Sequence, residues 1–148
     1  MANALFDKGR ESFLKGEIAW QTKTIDVILV KVGGGAGEYT VDLANHQFLE
    51  DVTVAARVAL LSGNAVEDTE LTTKTTAAGV AGADDAVFEE VTGDEIGAIV
   101  IYARESTNTE TTSRLIAYID DATGLPVTPN GGDITIEWDD GANKIFKL

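Results

Sequence analysis

Hydrophobic and polar positions alternate unevenly along the chain, and the clearest pattern lies in its last third. Residues 96–103 and 114–120 are rich in Ile, Val and Tyr, with apolar side chains at both odd and even positions. Such segments fit strands covered on both faces, so both are predicted to lie centrally in a sheet. Residues 133–139 alternate instead, with Ile134, Ile136 and Trp138 on one side and Asp133, Thr135, Glu137 and Asp139 on the other. That pattern predicts a strand with one wet face. Asp140-Gly-Ala-Asn143 supplies turn residues that tolerate positive φ, so residues 144–148 are expected to return as a hairpin partner and to end inside the fold.

The first third gives a second group of elements. Asn3 is positioned to cap a helix that places Leu5, Phe6, Gly9 and Phe13 near one face and stops at Gly16. A helix this short is marginal alone, so Phe6 and Phe13 rest either on the body of the protein or on a neighbouring molecule. Residues 24–32 are apolar on both parities and predict another central strand. The glycine run at 33–37 lacks the Lys-Ser/Thr ending of a phosphate loop, and is read as a hairpin connection to residues 39–43, where Tyr39, Val41 and Leu43 share a side. One helical turn is expected within 46–51, followed by irregular structure leading into a strand near Arg57. Residues 62–85, rich in Thr, Ala, Gly and acids, form a surface excursion with a Thr-rich strand near Leu71. Residues 87–91 return to strand pattern, and the wholly polar segment 105–113 is expected to project as the tip of a long hairpin.

These elements define a mainly β protein: a single compact antiparallel β-sandwich or barrel-like domain with a short N-terminal helix. Residues 1–16 form the helix or arm and residues 17–148 the β-domain. A chain of 148 residues suffices to bury roughly two-thirds of the surface its unfolded state exposes. No apolar run approaches the ~20 residues that cross a bilayer, and the first residues lack the basic start and apolar centre of a secretory signal.

Charge and chemistry narrow the function classes. The net charge is −14, from 25 acidic and 11 basic residues, which leaves little means to neutralise phosphates and argues against nucleic-acid partners. With no cysteine, disulfides, thiolate metal sites and thiol catalysis are excluded. His46 is the only histidine, has no triad pattern around it, and is read as a surface or hydrogen-bonding residue. The acidic pairs at 84–85, 89–90, 120–121 and 139–140 lack the spacing of a calcium loop and are read as solubilising. No catalytic residue, metal ligand or cofactor is expected. Trp20, Trp138 and the three tyrosines are too scattered to argue for a carbohydrate-binding cleft.

Residues 1–20, residues 79–88, the long run from Ser113 through Thr123-Gly-Leu-Pro-Val-Thr-Pro-Asn-Gly-Gly-Asp133, and Trp138-Asp-Asp-Gly-Ala-Asn-Lys-Ile-Phe146 resemble a family of small virion structural proteins of tailed bacteriophages. The similarity runs nearly end to end and is strongest toward the C-terminus. It implies a head decoration or cement protein, made in the host bacterial cytoplasm and bound on the outer capsid surface over the major capsid protein lattice. A homotrimer is implied by the resemblance alone. A tail-tube or head–tail connector subunit is the alternative. On this reading Phe6, Phe13, Trp20, Leu71 and Val80 are the candidate apolar contacts to capsid or to neighbouring subunits.

Overall fold

The computed structural model describes residues 3–58, 68–107 and 109–148. Its elements in order are β1 (Ala4–Leu5), α1 (Asp7–Leu14), β2 (Ile25–Val30), β3 (Thr69–Glu70), β4 (Thr75–Ala77), β5 (Val80–Gly82), β6 (Ala86–Phe88), β7 (Ala98–Ala103), α2 (Thr109–Thr112), β8 (Arg114–Ile119), β9 (Ile134–Ile136) and β10 (Phe146–Lys147), with 3₁₀ turns at Leu49–Asp51 and Val54–Ala56. The main sheet has the order β1-β8-β7-β2-β3, and two smaller sheets have the orders β10-β5-β4 and β6-β9. All strand pairs are antiparallel. The architecture is mainly β and sandwich-like, and it is not a closed barrel.

The strands that are apolar on both parities occupy the centre, as their composition requires. Every residue of β2 and β7 is buried, as is all of β8 beyond Arg114. Ile25, Val27 and Leu29 of β2, with Ile99 and Ile101 of β7, face one core, where Trp20, Leu71, Phe88 and Val91 cover them from the smaller sheets and their connections. Ile28 and Val30, with Val100 and Tyr102, face a second core closed by Phe6, Tyr39, Leu49, Val52 and Ala56. A bulge where Ile101 pairs with Ala117 and Tyr102 with Leu115 shifts the parity of β8. Leu115 and Tyr118, three residues apart, therefore share the second core.

The N-terminal segment is built into this body. β1 pairs with β8, Ala4 opposite Tyr118, and Phe6 is fully buried. Asn3 does not cap α1, whose N-cap is Phe6 with no side-chain bond. Its side chain instead accepts from the amides of Asp120 (3.1 Å) and Asp121 (2.9 Å) and donates to the Asp121 carbonyl (2.9 Å), so it fastens the end of β8. Gly16 does stop the helix: its φ is +75°, its amide bonds to the Phe13 carbonyl and that of Glu17 to the Ser12 carbonyl, the paired closure that favours glycine just past a C-cap.

Three further expectations are corrected. Residues 144–148 do not form a hairpin with the strand before them: β9 pairs with β6, and β10 crosses to the outer edge of β5, Phe146 opposite Ala81. Phe146 there packs against Trp20 and Phe13, with ring centroids 5.2 and 5.9 Å apart, and that aromatic contact outweighs the local turn. Tyr39 returns to Val32 through a single parallel bridge instead of a hairpin, because Tyr39, Val41 and Leu43 cover the second core. Segment 105–113 does not project as a bare tip. It folds back through α2, whose Glu110 carboxylate receives both terminal nitrogens of Arg57 at 2.9 and 2.5 Å.

Other expectations are met. Arg57 bridges to Val30 as a single β-pairing, and the helical turn falls at Leu49–Asp51. The excursion differs from expectation: no strand runs at Leu71, which is buried; it is flanked by β3 before it and, after it, by the hairpin β4–β5, closed by Ala78 and Gly79 at φ +52° and +79°, the doubly positive turn of a two-residue connection. Its residues 62–67 lie outside the described set.

Gly9 tests how α1 is seated. A Cβ on it would stand 2.6 Å from the Leu115 carbonyl oxygen and 3.2 Å from the Ile116 Cα, both backbone atoms of the central sheet. Helix propensity alone favours Gly9→Ala by up to about 1 kcal/mol, whereas overpacking against rigid backbone costs about 1–3 kcal/mol. Urea unfolding is expected to show a net loss of stability in Gly9→Ala. A gain would mean that α1 does not sit on β8.

Candidate functional site

The candidate contact residues divide by burial. Phe6 is 0%, Leu71 1% and Trp20 5% exposed, and each is used by the chain's own core: Phe6 in the second core, Trp20 and Leu71 in the first. Trp20 also donates its indole N–H to the Gly82 carbonyl at 3.1 Å. These three offer no side-chain area to a neighbour, because the strands apolar on both faces draw them inward. Phe13 and Val80 are half-buried. They lie on adjoining elements: Phe13 touches Phe146 of β10, and Val80 is paired with Lys147. Leu14, next to Phe13, is 89% exposed and Leu148, next to Lys147, is 57% exposed. The end of α1 together with β10 and β5 is thus where exposed apolar side chains accompany the aromatic contact. β4, whose three residues are all exposed, forms one edge of the same small sheet.

A second group of residues has unusual electrostatics. Asp26 lies within β2, opposite Tyr102 of β7 and Glu70 of β3 in the sheet register, and has no exposed area. Its Oδ2 is 2.9 Å from Arg104 Nε, close enough for an ion pair, yet neither carboxylate oxygen receives an aligned hydrogen bond. The Arg104 guanidinium is shared with Asp68 and Glu70, each at 3.9 Å, and the Tyr102 hydroxyl donates to Asp68. One guanidinium therefore faces three carboxylates. Burial is the largest influence on Asp26 and raises its pKa to about 7; the charge of Asp68 adds to the rise, while Arg104 and the neighbouring Tyr102 hydroxyl oppose it. Burial and the bond to Asp68 also push the Tyr102 phenol up.

The sequence signal for Asp26 was its parity: it shares a face with Ile28 and Val30 in a strand otherwise apolar on both sides. Arg104 follows β7 directly, but nothing in the spacing announces its reach to Asp68 and Glu70. Among the described residues, no group of three or more His, Asp or Glu side chains is arranged to hold a metal ion. The cluster can hold and release a proton, with Arg104 supplying the fixed positive charge. Elsewhere His46 Nδ1 meets the Tyr39 hydroxyl at 2.7 Å, the hydrogen-bonding role its sequence context suggested. Among the described residues no helix is long and apolar enough to cross a membrane.

No protein-family model matches the chain, and no curated protein matches it.

The Asp26 cluster generates a pH prediction with a definite sign. A carboxyl whose folded pKa is raised above its unfolded value near 3.8 keeps its proton in the folded state after the unfolded chain has lost it. Stability is then fully present below about pH 4 and falls as pH rises toward about 7. Asp26→Asn keeps the shape and removes the ionisation. The variant is expected to be close to the parent at pH 4 and more stable by about 1–3 kcal/mol at pH 8, read from urea midpoints at both pH values. Parallel pH profiles for the two proteins would mean that Asp26 is not the titrating group.

Proposed function

We propose that the protein is a structural component of the head of a tailed bacteriophage, a decoration or cement protein that binds over the major capsid protein lattice and stabilises it. The observation that carries this reading is how the segments resembling small virion proteins lie in the fold. Residues 1–20, 79–88, 113–133 and 138–146 are far apart in the chain, yet they meet: β1 pairs with β8, β10 with β5, and Phe13 and Trp20 with Phe146. The segments on which the resemblance rests therefore lie together in one continuous body, and the exposed Leu14, Leu148 and β4 edge lie on elements of that body or of the small sheet it includes.

The physical character of the chain supports the reading. A protein that coats a shell acts by many weak contacts repeated over a lattice, and extended surface serves it better than a deep reactive cleft. Its role is binding, without catalysis or cofactor, and its partners are the major capsid protein and further copies of itself as a homotrimer. A charge of −14 suits an outer location away from packaged nucleic acid. The chain is made in the bacterial cytoplasm and resides on the outer capsid surface.

Gold-labelled antibody microscopy on intact virions of the source phage tests the assignment. Label over the whole head is expected; label confined to the tail or neck would replace cementing by a tube or connector role. Leu14→Glu combined with Leu148→Glu is expected to leave the circular dichroism spectrum and unfolding midpoint unchanged. It should weaken binding to purified capsids roughly tenfold or more, the scale of losing one or two buried leucines.

A further inference from the structure

A groove runs between the loop that follows β8 and the strand β9. It consists of two adjoining hollows of about 250 and 570 Å³ that share Ile99, Thr123 and Ile136 among their walls. The floor is apolar: Ile99 and Ile119 come from the central sheet, Leu125 and Val127 from the loop, and Ile136 from β9. The rim is acidic: Asp121, Asp133, Glu137, Asp139 and Asp140 stand around it, all exposed, against the single cation Lys144.

The strand beside the groove has an edge to offer. Among the described residues β9 has one strand neighbour, β6. Five consecutive residues, 133–137, line the smaller hollow. A strand face would contribute alternate residues only, so the hollow runs along the backbone edge of β9. Exposed strand edges carry unpaired N–H and C=O groups and accept a further strand. An added strand here would place alternate side chains over the isoleucine floor and direct the others toward the carboxylates of the rim.

We propose that this groove is a docking site for an extended, basic segment of another protein, added as a strand along β9 with apolar residues facing inward and Lys or Arg facing the acidic rim. Charge selects this occupant. The rim sets five carboxylates against one lysine, so a segment of net positive charge is favoured there and an acidic or phosphorylated one is repelled. The assignment concerns the groove alone and holds whether or not the protein coats a phage head.

The test uses the full chain, labelled with ¹⁵N, and capped synthetic octapeptides. An alternating Lys-Val peptide is expected to shift amide resonances concentrated in residues 121–125 and 133–140. Its Glu-Val counterpart should give no shifts, and a Lys-Val peptide N-methylated at every residue, equal in charge but with no residue N–H to donate along the edge, should bind at least tenfold more weakly. Glu137→Lys with Asp139→Lys should weaken Lys-Val binding at least tenfold. Glu50→Lys with Asp94→Lys, an equal charge change outside the groove, should weaken it less than threefold. Equal binding of the N-methylated and unmethylated Lys-Val peptides, or shifts scattered over the surface, would reduce the effect to general charge attraction and overturn the proposal. A neutral oligosaccharide such as cellohexaose that moves the same groove resonances at lower concentration would overturn it too, in favour of a glycan occupant.

Discussion

The rest of the structure depends on one constraint: β2, β7 and β8 are apolar on both faces, so the sheet they form must be covered twice. A single layer of helices or a second sheet would satisfy only one face. The chain meets the demand asymmetrically. One face is closed by the small sheets and their connections, centred on Trp20, Leu71 and Phe88, and the other by the largely irregular segment between residues 39 and 56. The central strands thereby consume the aromatic residues of the N-terminal region. What remains for contact with other molecules is the margin: the end of α1, the edges of the small sheets and the groove beside β9.

Buried charge is the second organising element, and its two instances differ in completeness. Arg57 is buried with every nitrogen engaged, its Nε by the Val52 carbonyl, its terminal nitrogens by Glu110 and the Leu49 carbonyl. A guanidinium satisfied in this way ties segment 105–113 to the 3₁₀ turns and gives a polar loop a fixed position. Asp26 is the opposite case, a carboxylate deep in the sheet with one imperfectly aligned cation and two further carboxylates nearby. Desolvation favours its neutral form, so the same sheet carries one charge held firmly and one held conditionally.

Much of the fold was legible in the chain because it follows from local rules. Two-sided apolar composition identified the three central strands, and Gly16 marked the end of α1. Alternation in residues 133–139 correctly showed a strand with one wet face, but alternation reports a face and never a partner. The pairing of β9 with β6 and of β10 with β5 was invisible for that reason. Asn3 illustrates the same limit at another scale: a good capping residue in sequence was taken by the backbone at residues 120 and 121, more than a hundred positions away. Phe6, Trp20 and Leu71 were read as contacts to capsid or neighbouring subunits from their aromatic or aliphatic character, which cannot tell burial by a partner from burial by the chain's own core; here the core takes all three. The groove beside β9 was hidden because its floor and rim come from segments that meet only once the sandwich has closed.

The pairing of β1 with β8 has a consequence for how the protein reaches its native state. The first strand opposes residues 117 and 118, so the earliest part of the chain waits for more than a hundred further residues before it finds its neighbour. Long-range pairings of this kind raise the contact order and slow folding into the range of milliseconds to seconds typical of β-sandwiches. During synthesis the β2 segment, apolar on both sides, is displayed while β7 and β8 have yet to emerge, and it depends in that interval on dilution, charge repulsion or chaperones to stay unassociated. The high negative charge of the chain thus acts before the fold exists as well as after it, keeping nascent copies apart until the sheet that hides β2 is complete.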